Sequence, residues 1–153
     1  RPLDAGPFYD VAKEYPFGMI KGGDEDLVRD PIATTPEGGL ICIGDIPENT
    51  SLNILKGQKS ALIAASGRAA GYLCHQSQPV EQCLVFDCVS RSLYLDKTYA
   101  KELDMIHNSL HLANSSLIAE GVLSIGEIAS SDQNGLVFFN KTTVIGGLRR
   151  IEN

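Results

Sequence analysis

Tryptophan is missing from the 153 residues, and so are any basic run and any Cys-x-x-Cys pair. No apolar run approaches the roughly 20 residues that cross a bilayer as a helix, so membrane is not an expected partner. Lysine and arginine number 13 against 19 aspartates and glutamates, without basic–aromatic interleaving, which argues against nucleic acid. Lacking Cys-x-x-Cys, the chain offers no zinc ribbon or thioredoxin-like centre. Cys42, Cys74, Cys83 and Cys88 read as reduced cysteines of a cytoplasmic protein, with Cys42 and Cys83 acting as small hydrophobes in apolar runs. Neither Gly-x-Ser-x-Gly nor His-Glu-x-x-His occurs, so no recognised serine-hydrolase or zinc-protease signature supports an enzyme.

The length suits a single domain, residues 1–153, able to bury a substantial core. The first residue is Arg1, and the chain is expected to be a fragment of a longer protein. Leu3 to Tyr15 reads as a short helix stopped by Tyr15-Pro16. Four short strands follow: Phe17–Lys21, Leu27–Thr34 with an edge proline at Pro31, Leu40–Ile43 and Ser51–Leu55. An alanine-rich helix over 59–75 puts Leu62, Ala65, Ala69 and Leu73 at helical spacing, its small residues allowing close approach to a sheet. Gln82–Val89 is the most strand-like run, and a second helix over 96–112 buries Tyr99, Leu103, Ile106 and Leu110, with Asp96 as N-cap. Glu120–Ser130 reads as a buried strand (Val122, Leu123, Ile125) broken by Gly126, which marks a bulge or a close approach of backbone to something else. Leu136–Phe139 and Thr142–Ile145 close the chain after the turn at Ser131–Gly135. The predicted class is α+β: a mixed, mainly antiparallel sheet with two principal helices packed on one face. The stretches from Ser51 to Val89 and from Gln82 to Val122 leave parallel crossovers open.

Candidate chemistry is sparse. Gly22-Gly23-Asp24-Glu25-Asp26 resembles a diguanylate-cyclase signature, but only about twenty residues precede it, and an acidic turn is the better reading. His107 and His111 share a helix face, without an acidic or thiolate partner at fixed offset. Cys74-His75 could supply an axial haem ligand, although adjacent residues diverge on a helix. Asp87, Cys88 and Arg91 gather at the end of an apolar strand, where a carboxylate and a guanidinium could clamp the ends of a zwitterion, or simply form a local ion pair. Glu127, just past Gly126, is placed either to contact a ligand or to meet water at a strand end.

Cys88, Arg91, Gly121, Gly126-Glu127-Ile128 and Phe139-Asn140 come in an order that resembles the C-terminal domain of the FIST family. Tyr15-Pro16-Phe17-Gly18, Val28-Arg29 and Gly44-Asp45-Ile46-Pro47-Glu48 fit the same pattern upstream. The resemblance implies a non-enzymatic, cytoplasmic sensory domain that follows an N-terminal FIST domain and signals to a histidine kinase, cyclase or chemotaxis partner. It implies a small ligand, such as an amino acid, and together with the strand-end reading it points to Asp87, Cys88, Arg91, Glu127 and Asn140 as the site if those strand ends lie side by side. Arg91 would hold a carboxylate, Glu127 or Asp87 an amine, and Asn140 would orient the ligand. No metal is expected. The alternatives are a haem-based nitric-oxide sensor using His75, His107 or His111, and a protein-interaction scaffold.

Overall fold

The computed structural model describes residues 6–20, 27–75, 80–130 and 135–151. Helix α1 (Gly6–Ala12) leads to strands β1 (Phe17–Met19), β2 (Leu27–Thr34), β3 (Leu40–Ile43) and β4 (Leu52–Ile54). These pair antiparallel throughout, in the order β3-β2-β1-β4. The acidic turn Gly22–Asp26 lies outside the described residues. Pro31 lies beyond the β1 ladder, which ends at Arg29, so at this residue β2 is paired on the β3 side only and the expected edge position holds locally. The proline is accommodated where the β2–β3 register shifts between Pro31 and Ala33, so its missing N–H falls at an irregularity.

The chain continues through α2 (Lys59–Cys74), β5 (Gln82–Cys88), α3 (Val89–Leu95), a 3-10 turn (Asp96–Thr98) and α4 (Tyr99–Ala113). Strands β6 (Ile118–Ser124), β7 (Glu127–Ser130), β8 (Leu136–Phe139) and β9 (Thr143–Leu148) complete it. The second sheet runs β6-β5-β9 and β7 pairs with β8. β5 and β6 are parallel, joined by the α3–α4 crossover, whereas β5–β9 and β7–β8 are antiparallel. The class is therefore α+β with mostly antiparallel pairing, as expected, and the crossover left open between Gln82 and Val122 is real. Cys83 and Val85 of β5 meet Ala70 of α2 and Ile106 and Leu110 of α4 in the main core.

Both long helices bury part of the stripe read in the sequence (Ile106 and Leu110 in α4, with Leu73 of α2 packed against the core) and depart from it elsewhere. In α2 Ser66 and Ala70 are buried and Ala69 is exposed, a rotation of one position. The small residues serve the other helix as much as the sheet: a Cβ on Gly67 would lie 2.6 Å from Met105 Cγ of α4. In α4 the buried line is Glu102, Ile106 and Leu110, and Leu103 faces out. The expected helix over 96–112 is preceded by a separate α3, because Asp96 turns the chain at φ 51°. Thr98, not Asp96, occupies the N-cap position of α4, without a side-chain capping bond.

The stretch 120–130 corrects the sequence reading most sharply. β6 is an edge strand, and Val122, Leu123 and Ile125 are 59, 50 and 66% exposed instead of buried. The helices cover one face of its sheet, while Phe86, Ile118 and Leu148 remain exposed. The glycine reading does hold: a Cβ on Gly126 would sit 2.2 Å from Phe138 Cζ, so the bend between β6 and β7 closes on that ring. Gly126→Ala should cost about 1–3 kcal/mol by overpacking. Urea unfolding of the single variant and of Gly126→Ala with Phe138→Leu checks this, since trimming the ring should restore much of the loss.

Candidate functional site

The apolar run of β5 ends in Asp87 and Cys88 and passes directly into α3, whose first turn carries Ser90 and Arg91. All four are buried. Arg91 lies only 3.8 Å from Asp87, the partner suggested by its i,i+4 spacing. Its principal partner is Glu102 of α4, which accepts from both Nε (2.9 Å) and Nη2. Nη2 also donates to the Leu62 carbonyl at 2.8 Å and Nη1 to the Lys141 carbonyl at 3.2 Å. Every guanidinium nitrogen thus already donates within the protein. Glu102 is fully buried, and burial raises its carboxyl above the ordinary range while the Arg91 pairing pulls it back. The sequence reading missed Glu102, although its spacing with Ile106 and Leu110 put a carboxylate on the core stripe.

Glu127 opens β7 and does not meet water: it is 2% exposed. Ser124 donates to its Oε1 at 2.7 Å, Cys88 and the Thr142 backbone lie close enough to favour its charged form, and Oε2 has no hydrogen-bond partner among the described residues. Burial nonetheless holds its carboxyl above the usual range. Cys88 contacts Ser90 Oγ at 3.3 Å, and its backbone N–H donates to the Thr142 carbonyl at 3.1 Å. Asn140 follows β8 and is completely buried, with neither amide atom paired among the described residues. Next to it Lys141 adopts φ 54° and brings Nζ within 3.2 Å of Asp30, an ion pair without good hydrogen-bond alignment. Burial lowers the Lys141 ammonium and raises the Asp30 carboxyl. Asp87, Cys88, Arg91 and Glu127 therefore share one cluster, and Asn140 joins it through the backbone of Lys141 and Thr142.

One edge of this cluster faces an open cleft of about 370 Å³ between β6 and α4. Val85 and Asp87 form its floor, Leu103 and Ile106 one wall, and Ala119 and Leu123 the other, with Tyr99, His107 and Glu120 contributing polar groups. Asp87 Oδ1 accepts from Thr143 Oγ1 at 2.8 Å, whereas Oδ2 has no hydrogen-bond partner among the described residues. Tyr99 lies beside Asp87, and burial together with that carboxylate pushes its phenol well above the ordinary range. No lysine or arginine lines the cleft.

The histidines fit a haem or metal poorly. His75 is exposed at the end of α2 and does not line the cleft. His107 is exposed on α4, and its ring meets that of His111 edge-on at 4.1 Å. Among the described residues no group of three or more His, Cys, Asp or Glu is arranged to hold a metal ion. Also among them, no helix is long and apolar enough to cross a membrane.

A family model described as FIST C domain matches residues 3–130. No curated protein and no solved structure matches the chain.

Two predictions follow from the buried charges. Glu102→Gln should lower unfolding free energy by about 3 kcal/mol, because removing one member of a buried pair strands the other charge; denaturant unfolding measures it. For Glu127 the folded-state value is raised, so its contribution is full below the unfolded value of about 4.3 and is lost as pH rises through the folded value. Glu127→Gln cannot titrate there, so its stability relative to the parent should increase between pH 5 and pH 8. A difference that stays flat all the way from pH 4 to pH 8 would contradict a carboxyl raised by burial.

Proposed function

The chain belongs to the FIST C domain family, a family of sensory and signal-transduction proteins, and we propose that it is a non-enzymatic sensory domain whose small ligand enters the β6–α4 cleft. The observation that carries this proposal is the cleft floor: a buried carboxylate, Asp87, with one oxygen unpaired among the described residues, set in an apolar frame. Ligand sites combine such a concave, mostly apolar surface with a few fixed polar groups. Asp87 is the contact residue, and Cys88, Arg91, Glu127 and Asn140 hold the strand ends around it. Arg91 ties α3 to α4 and to the Leu62 carbonyl of α2, so a ligand that moves Asp87 or Tyr99 acts on a linked set of helices.

The receiving partner in this proposal is a protein domain. The family resemblance points to an N-terminal FIST domain and, beyond it, to a histidine kinase or cyclase. Support for docking comes from the uncovered sheet face, where Phe86, Ile118, Val122 and Leu148 are exposed together. Association with a separately produced N-terminal FIST domain should be abolished by Phe86→Glu, and unchanged binding would remove this face from the proposal.

The ligand site is tested by thermal unfolding against a panel of small polar metabolites. A ligand that binds only the folded protein adds about 2.7 kcal/mol at a hundredfold excess over its dissociation constant. The shift should vanish in Ala119→Trp, which fills the cleft from an exposed position. A panel that raises the melting temperature equally in this variant would place the site elsewhere.

A further inference from the structure

The cleft also has a sign. Its lining includes two carboxylates, Asp87 and Glu120, and no lysine or arginine. Asp87 is 2% exposed, and its Oδ2 lacks a hydrogen-bond partner among the described residues. A buried carboxylate oxygen without a donor is costly, and a ligand that supplies one relieves that cost. Of the neutral donors on the protein, Thr143 serves Oδ1, and Tyr99, which lines the same cleft, makes no hydrogen bond to Oδ2.

The nearest fixed cation does not supply the missing contact. Arg91 stands 3.8 Å from Asp87 Oδ1 and directs its nitrogens to Glu102 and to the Leu62 and Lys141 carbonyls. That commitment also decides what the cleft cannot hold. A zwitterionic amino acid bound with its amine on Asp87 would bring a carboxylate into a cleft that holds two carboxylates and, as its one basic side chain, the exposed imidazole of His107. Like charges this close, in a partly desolvated site, oppose binding.

We propose that the β6–α4 cleft is a site for a monocationic amine with a short apolar body and no carboxylate. The proposal rests on the sensory role above and narrows its ligand class. The ammonium donates to Asp87 Oδ2, and the carbon chain lies along Val85, Leu103, Ile106 and Leu123. Glu120, exposed on the edge strand, adds long-range attraction at the mouth. A four- or five-carbon alkyl amine satisfies these requirements.

The experiment is calorimetric titration of the protein with n-butylamine, norvaline and pentanoate, which present the amine, the zwitterion and the acid on similar carbon chains. Butylamine should bind and the other two should not. Asp87→Asn should weaken butylamine by at least about tenfold, as loss of a close charge pair does. Glu120→Lys, at an exposed position, should weaken it by about threefold at low salt and less at high salt. If Asp87→Asn fails to fold, Glu120→Lys and the filled cleft of Ala119→Trp still decide the matter. Norvaline or pentanoate binding as tightly as butylamine, with loss in Ala119→Trp, would overturn the amine assignment and leave the sensory role standing. Butylamine binding that ignores Glu120→Lys and Ala119→Trp would overturn the site. Absence of binding by all three would overturn the amine assignment, and a flat metabolite panel as well would remove the ligand-sensing role.

Discussion

The pairing of Arg91 with Glu102 is the contact on which the rest of this site depends. It reaches from the first turn of α3 to the buried stripe of α4, and the same guanidinium holds carbonyls of α2 and of the β8–β9 turn. A buried ion pair of this kind contributes little net stability compared with an apolar replacement. Its effect is positional: it fixes α4 against the end of β5 and so sets the distance between Tyr99, Leu103 and the floor of the cleft. It also draws the arginine away from Asp87, and Asp87 is left with an oxygen to spare.

Charge balance gives that spare oxygen its meaning. Asp30, Asp87, Glu102 and Glu127 are buried around this junction, against the cations Arg29, Arg91 and Lys141. Burial raises the carboxyls of Asp30, Glu102 and Glu127, which shifts these groups toward their neutral forms and relieves part of the excess. Lys141 contributes from a left-handed backbone position at φ 54°, a conformation that costs a non-glycine residue about 1–2 kcal/mol. Asp30, with its ammonium partner 3.2 Å away, is the compensation within reach. Strain, unpaired polar atoms and excess negative charge therefore collect at the same strand ends.

Much of this was legible in the sequence, and the failures have a common cause. Polar groups that interrupt apolar runs mark Asp87, Cys88, Arg91 and Glu127, the family resemblance adds Asn140, and in the fold these residues converge. Their burial was not legible, because a carboxylate after Gly126 looks the same whether water or Cys88 waits beside it. Leu103 makes a more hydrophobic stripe with Ile106 and Leu110 than Glu102 does, yet pairing with Arg91 makes the charged residue the buried one. The apolar residues of β6 misled in the opposite direction. Val122 and Leu123 read as core, but sheet order puts them at an edge, and edge position is a property of tertiary pairing that local periodicity does not carry.

Carboxyl-carbon NMR of the aspartate and glutamate side chains, followed as n-butylamine is added, tests the central claim most directly. The Asp87 carboxyl signal should move with saturation, the Glu120 signal should move less, and Glu102 should stay in place because its partner remains Arg91. A silent Asp87 signal, or a response led by Glu102 or Glu127, would contradict a cleft built around one uncommitted carboxylate oxygen.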